Sequence, residues 1–107
     1  MPKYLLEVTY TLEGVKGVVA KGGSARRAAA QAAAESLGGT LESFYFAFGK
    51  TDVVTVADMP DNAAMAALAL SVTAAGGATV RTVVLLSPED IDAATQKKVI
   101  YTPPGKT

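Results

Sequence analysis

The stretch Leu41-Glu42-Ser43-Phe44-Tyr45-Phe46-Ala47-Phe48-Gly49-Lys50-Thr51-Asp52-Val53-Val54-Thr55-Val56-Ala57-Asp58-Met59 decides the fold. Two runs of aromatic and β-branched residues flank a glycine-containing turn, the pattern of two antiparallel strands joined as a hairpin. Strand side chains alternate, so the first run, Leu41 to Phe48, puts Phe44, Phe46 and Phe48 on one side and Leu41, Ser43, Tyr45 and Ala47 on the other. The turn Gly49-Lys50-Thr51 leads into a second run from about Asp52 to Met59.

Outward from the hairpin, a helix and then a strand are expected on each side. Upstream, Ser24 is placed to cap an alanine-rich helix reaching Leu37, and Gly38-Gly39 ends it. Before it, Gly14 and Gly17 punctuate a loop or short helical turn around Val15, Val18 and Val19. Tyr4 to Thr11 reads as a strand, with Tyr4, Leu6, Val8 and Tyr10 on one face and Leu5, Glu7, Thr9 and Thr11 on the other. Downstream, Asp61 caps a helix whose apolar positions Met65, Leu68, Ala69 and Val72 recur at three-and-four spacing, and Gly76-Gly77 closes it. Ala78 to Leu86 forms the fourth strand. Ser87-Pro88-Glu89-Asp90 then opens a short terminal helix, and Tyr101-Thr102-Pro103-Pro104-Gly105 reads as extended.

The order is a ferredoxin-like β-α-β-β-α-β arrangement of the α+β class, a four-stranded antiparallel sheet with two helices on one face. Residues 1–96 make one domain and 97–107 an extended C-terminal tail. With the helices on one side, water would cover the other side of the sheet, yet apolar residues occur in both phases: Val53 beside Val54, and Val83 and Leu85 beside Val84 and Leu86. A bare apolar face is an aggregation hazard. Sheet-to-sheet pairing as a dimeric α/β barrel resolves it, so the expected partner is the chain itself, as a homo-oligomer of at least two copies.

Composition excludes much familiar chemistry. The 107 residues hold ten basic and ten acidic side chains, no cysteine and no histidine. Disulfides, thiolate nucleophiles, the commonest metal ligand and the usual general base are therefore missing, and no metal or cofactor is expected. No run of like charge marks a nucleic-acid surface, and no stretch approaches the ~18 apolar residues of a membrane span. A cytoplasmic protein is the expectation. Charge is nonetheless uneven along the chain. Residues 1–27 carry Lys3, Lys16, Lys21, Arg26 and Arg27 against Glu7 and Glu13, whereas residues 28–74 carry Glu35, Glu42, Asp52, Asp58 and Asp61 against Lys50.

The candidate ligand site starts at Gly22-Gly23-Ser24-Ala25-Arg26-Arg27. Free amides and the positive helix end meet two guanidinium groups there, and such a place suits a phosphate or carboxylate. Lys21, Ser24, Arg26 and Arg27 are the expected ligand-binding residues, with Tyr45 and Asp52 as further candidates. Asp52, beside a glycine turn, would serve either as a base or as a turn residue bonding the backbone. Glu7 and Arg81 would form a buried pair if the first and fourth strands are neighbours.

Glu13-Gly14-Val15-Lys16-Gly17, Gly22 to Arg27, Glu35-Ser36-Leu37-Gly38-Gly39, Phe44 to Gly49, Asp52-Val53-Val54 and Met59-Pro60-Asp61 together resemble the GYD-domain family of small prokaryotic proteins, as far as about Ala94. The resemblance implies a ferredoxin-like fold related to dimeric α/β barrels and leaves the biochemical role open. Gly49-Lys50-Thr51-Asp52 keeps the glycine and aspartate of the family's signature, with Thr51 where tyrosine is expected. Three functions remain: an oligomeric binder of a small anionic ligand, a self-assembling structural protein, or a cofactor-independent enzyme resembling dimeric α/β-barrel monooxygenases or isomerases and using Asp52, Tyr45 or Arg81.

Overall fold

A computed structural model describes residues 1–105. The expected tail at residues 106 and 107 lies outside them. The elements in chain order are β1 (Lys3–Tyr10), α1 (Leu12–Lys21), α2 (Gly23–Ser36), β2 (Thr40–Phe46), β3 (Val53–Asp58), α3 (Asn62–Ala74), β4 (Ala78–Leu85) and α4 (Pro88–Thr95). All four strands run antiparallel to their neighbours in the order β2-β3-β1-β4, so the first and third strands are central, as the ferredoxin-like reading requires.

Alternation along β1 sorts the sheet into two faces. Tyr4 and Leu6 are buried with Val53, Thr55 and Ala57 of β3 beneath the helices, where Ala34, Met59, Met65 and Leu68 complete the core. Each fully buried leucine contributes about 1.5–3 kcal/mol relative to exposure. The alanines of α2 allow that helix to approach β2 closely, while α3 lies over the β4 side. Tyr4 is the largest buried side chain, and its hydroxyl donates to Asn62 Oδ1 at the start of α3, so the group is not left dry and unpaired.

Three expectations need correction. The segment around Gly14 and Gly17 is a full ten-residue helix, α1, capped by Thr11, whose Oγ1 accepts the Gly14 N–H at 3.3 Å. The helix survives two internal glycines because it is held by contact. Thr11 N–H donates to the Gly77 carbonyl at 3.0 Å, Thr11 Oγ1 donates to the Gly76 carbonyl at 2.8 Å, and a Cβ at Gly14 would overlap the Gly77 oxygen. Second, Gly22, not Ser24, caps α2, and it ends α1 at the same time. Its φ of 85° is open to glycine and costly for other residues, and it turns one helix directly into the next. Third, β2 carries a bulge between Leu41 and Ser43. Two residues oppose one there, so Leu41 joins Phe44 and Phe46 on the helix side, and Ser43 and Tyr45 face outward. The strand stops at Phe46, which leaves Phe48 fully exposed in the turn.

The outer face consists of rows across the sheet. Leu5, Val56 and Val83 form an apolar row, with Tyr45, Val54, Glu7 and Arg81 in the next. At the end of the face, Lys3 bonds Asp58 at 2.8 Å and Glu42 at 2.9 Å. Asp58 first and Glu42 second raise the Lys3 pKa above its ordinary 10.5, so what this cluster adds to stability is present at neutral pH and fades as pH climbs past that value.

Replacing Gly14 by alanine forces a methyl group into the Gly77 carbonyl. We expect Gly14→Ala to lower unfolding stability by about 1–3 kcal/mol in urea titrations, with a native-like circular dichroism spectrum.

Candidate functional site

The six expected site residues do not form one site. Gly22 directs α2 so that Arg26 and Arg27 fall on different flanks of the helix, about 100° apart as consecutive helical residues must be. Arg26 and Lys21 line one cleft. Arg27 and Ser24 line a separate groove between α2 and β2, with Gln31 and Tyr45.

The first of these is a cleft of about 530 Å³ where α1, α2 and α3 converge. Its floor is mostly apolar: Tyr10 from β1, Ala33 from α2, Leu68 and Val72 from α3 with Ser71 beside them, Ala75 just past that helix, and Ala78 from β4. Lys21, Arg26 and Glu13 stand among its walls, with Gly14 and Gly17 contributing backbone only. Glu13 lies 4.0 Å from Lys16 on the same helix, an exposed pair of small energetic value. Lys21 occupies the last turn of α1, where a cation suits the helix dipole, and Arg26 ends the first turn of α2, where it does not. The volume falls in the ~300–1,000 Å³ range of small-molecule sites.

The other groove is shallower in chemistry. Ser24 sits inside the first turn of α2 and makes no capping bond. Gln31 is already committed, accepting the Leu41 N–H at 2.9 Å and donating to Thr40 Oγ1 at 2.9 Å. It thereby blocks part of the free edge of β2.

Asp52 has a structural task. Its Oδ2 accepts the Tyr10 N–H at 2.8 Å, its own N–H donates to the Val8 carbonyl at 2.8 Å, and its carbonyl accepts from Ala47 at 2.9 Å. The carboxylate thus fastens the 47–52 turn to the end of β1, the local role weighed against a catalytic one. Tyr45 and Arg81 stand at opposite ends of one outer row, three strand spacings or roughly 14 Å apart. Glu7 and Arg81 are cross-strand neighbours as expected, with Arg81 Nε 4.0 Å from Glu7 Oε1, but they are not buried: their side chains are 29% and 81% exposed respectively, because β4 is an edge strand and no helix covers this part of the outer face among the described residues. Among the described residues no cluster of three or more acidic side chains suits a metal ion, and no helix is long and apolar enough to cross a membrane.

Residue-by-residue reading missed the cleft floor. Its signal was available only as small residues, Gly14, Gly17, Ala33, Ala75, Gly77 and Ala78, whose convergence depends on three helices meeting.

Sheet order, helix placement and antiparallel register define an α+β protein of ferredoxin-like type. The chain belongs to the GYD domain family, whose match covers residues 4–95. No curated protein and no solved structure matches it.

Removing the Asp52 carboxylate leaves the Tyr10 amide without its acceptor. Asp52→Ala is expected to cost about 1.5–3 kcal/mol, as loss of a hydrogen bond to a charged group does. Hydrogen exchange read residue by residue should show the Tyr10 amide losing protection before the β1–β3 ladder does.

Proposed function

We propose that this protein binds a small organic anion with an apolar body, held in the cleft between α1, α2 and α3, and that it works as a homo-oligomer. The cleft itself carries the reading: two cationic side chains, Lys21 and Arg26, border an apolar floor in a space of small-molecule size. A carboxylate or phosphate would meet the guanidinium and ammonium groups near the mouth, and an aliphatic or aromatic body would cover Leu68, Val72 and Tyr10. Arg26 opposes the dipole of its own helix, a local conflict that a bound anion would relieve. Ser24, Arg27, Tyr45 and Asp52 are not part of this site.

Self-association has separate support. The outer row Leu5, Val56 and Val83, with Val54 beside it, is only partly covered among the described residues, where the start of α4 reaches Val56 at one end. The charges around that row, Lys3 with Asp58 and Glu42, and Arg81 with Glu7, occur in both signs, so the face can meet its own copy about a two-fold axis. The alternative of pure self-assembly shares this support and lacks any use for the cleft.

Thermal-shift titration with medium-chain and aromatic carboxylates and with organic phosphates tests the binding reading. Wild type and Arg27→Ala should be stabilised alike, whereas Arg26→Ala should weaken binding by about 10- to 100-fold, the loss of one charge-assisted hydrogen bond. Equal shifts for all three proteins would remove the anion site. Sedimentation at micromolar concentration tests assembly, and Val56→Asp on the outer face is expected to shift the protein toward monomer.

A further inference from the structure

The chain carries a second surface without a partner, at its C-terminus. Every residue from Leu86 to Gly105 is exposed, and α4 buries none of its eight residues. The radius of gyration is 17.3 Å, with a longest extent of 60 Å, against about 13 Å for a compact domain of this length. Residues 86–105 therefore extend from the body as an arm, rooted where Leu86, Ser87 and Asp90 line a recess with Pro2, Lys3 and Val56.

The arm is specified as structure. Ser87 and Asp90 form a reciprocal capping box with both bonds at 3.0 Å, and Pro88 takes the first helical position. A helix this short is marginal alone in water, so a sequence that defines its start so fully implies packing. Beyond it, Val99-Ile100-Tyr101-Thr102 is a run of strand-forming residues with apolar side chains in both phases. Val99, Ile100 and Tyr101 are 80%, 102% and 69% exposed, and the run has no strand partner among the described residues. Pro103-Pro104 closes it, as prolines do where a ladder must stop.

The matching vacancy is the edge strand β4. Its inner side pairs with β1, and its other edge offers unpaired backbone groups. Its sequence Ala78-Thr79-Val80-Arg81-Thr82-Val83-Val84-Leu85 holds one charge and no proline, so little protects that edge. Val83 and Val84 are 37% and 56% exposed on opposite faces of the sheet. A strand with apolar side chains in both phases would cover both.

We propose that residues 99–102 of one copy add as a fifth strand to the free edge of β4 in a second copy, with α4 as the spanning arm, so that two copies exchange their C-termini. The inference rests on the self-association proposed above and names an additional contact that holds it. Among the described residues, the run 99–102 is not paired with its own β4. Segment and edge occur once per chain, so a two-fold exchange satisfies both and closes the assembly. The reach is adequate, since α4 spans about 12 Å and residues 96–98 up to about 10 Å when extended, together more than the roughly 14 Å across a four-stranded sheet.

The absence of cysteine makes the test clean. Full-length Ile100→Cys and Val84→Cys chains carrying different tags would be unfolded, mixed, refolded and treated with a short bismaleimide. Arm exchange predicts a covalent adduct bearing both tags, and Ile100→Asp should raise the dimer dissociation constant at least tenfold with no loss of folded signal. A wild-type dimer with no mixed-tag adduct and unchanged dimerisation of Ile100→Asp would overturn arm exchange and leave face pairing intact. A wild-type monomer at micromolar concentration would overturn both. An intramolecular adduct in dilute chains carrying both cysteines would show the arm returning to its own sheet, which also overturns it.

Discussion

Strand β1 is paired along both edges, and the period-two alternation along it dictates nearly everything else. Because β3 and β4 flank it, the side chains of Tyr4, Leu6 and Val8 share one surface with Val53, Thr55 and Ala57, and α2 and α3 have one place to bury their apolar stripes. A slip of one residue would send Lys3, Leu5 and Glu7 into the core and expose Tyr4. The Tyr4–Asn62 hydrogen bond and the Asp52 carboxylate on the Tyr10 amide hold the two ends of that strand in register.

The same alternation produces the outer face. It is not wholly polar: Leu5, Val54, Val56 and Val83 occupy its middle, and charged residues stand around them. Thr55 shows how the inner face handles a buried polar side chain, by donating its hydroxyl to the Ser43 carbonyl at 2.6 Å. The outer face has no internal solution of that kind for its hydrocarbon. A domain of 107 residues leaves about a third of its chain surface unburied even when folded, so covering this face by association adds more, proportionally, than it would in a larger protein.

The sheet was readable from strand composition and turn residues, since four period-two runs and two glycine-pair stops left one economical topology. Helix caps were readable where a side chain makes the cap, as at Asp61 and Ser87. They were misread where backbone geometry does. Gly22 caps through its positive φ, so the nearby Ser24, chemically the better capping residue, drew the assignment two positions too far. α1 was obscured because its two glycines argue against a helix locally, while the contact that rewards Gly14 comes from Gly77, sixty-three residues away in sequence. The bulge at Glu42 reversed the expected facing of Leu41, and no residue type announces such an insertion. Distribution of Arg26 and Arg27 to different sides of α2 followed from helical geometry once the start of the helix was placed.

The cleft brings these threads together, because its existence depends on the features that were hardest to read. Gly22 sets the angle between α1 and α2, and Gly14 lets α1 settle on the loop after α3. Alanines and glycines at the junction then leave space that larger side chains would fill. In an ordinary core such a void is a liability, and natural packing removes it. Here the void opens to solvent beside Lys21, Arg26 and Glu13. A removable filling that brings its own negative charge meets both requirements at once: it occupies the space against Leu68 and Val72, and it compensates a guanidinium that its own helix dipole disfavours. The ligand proposed above would also stabilise the fold, by an amount that rises with the logarithm of its concentration once the site is filled.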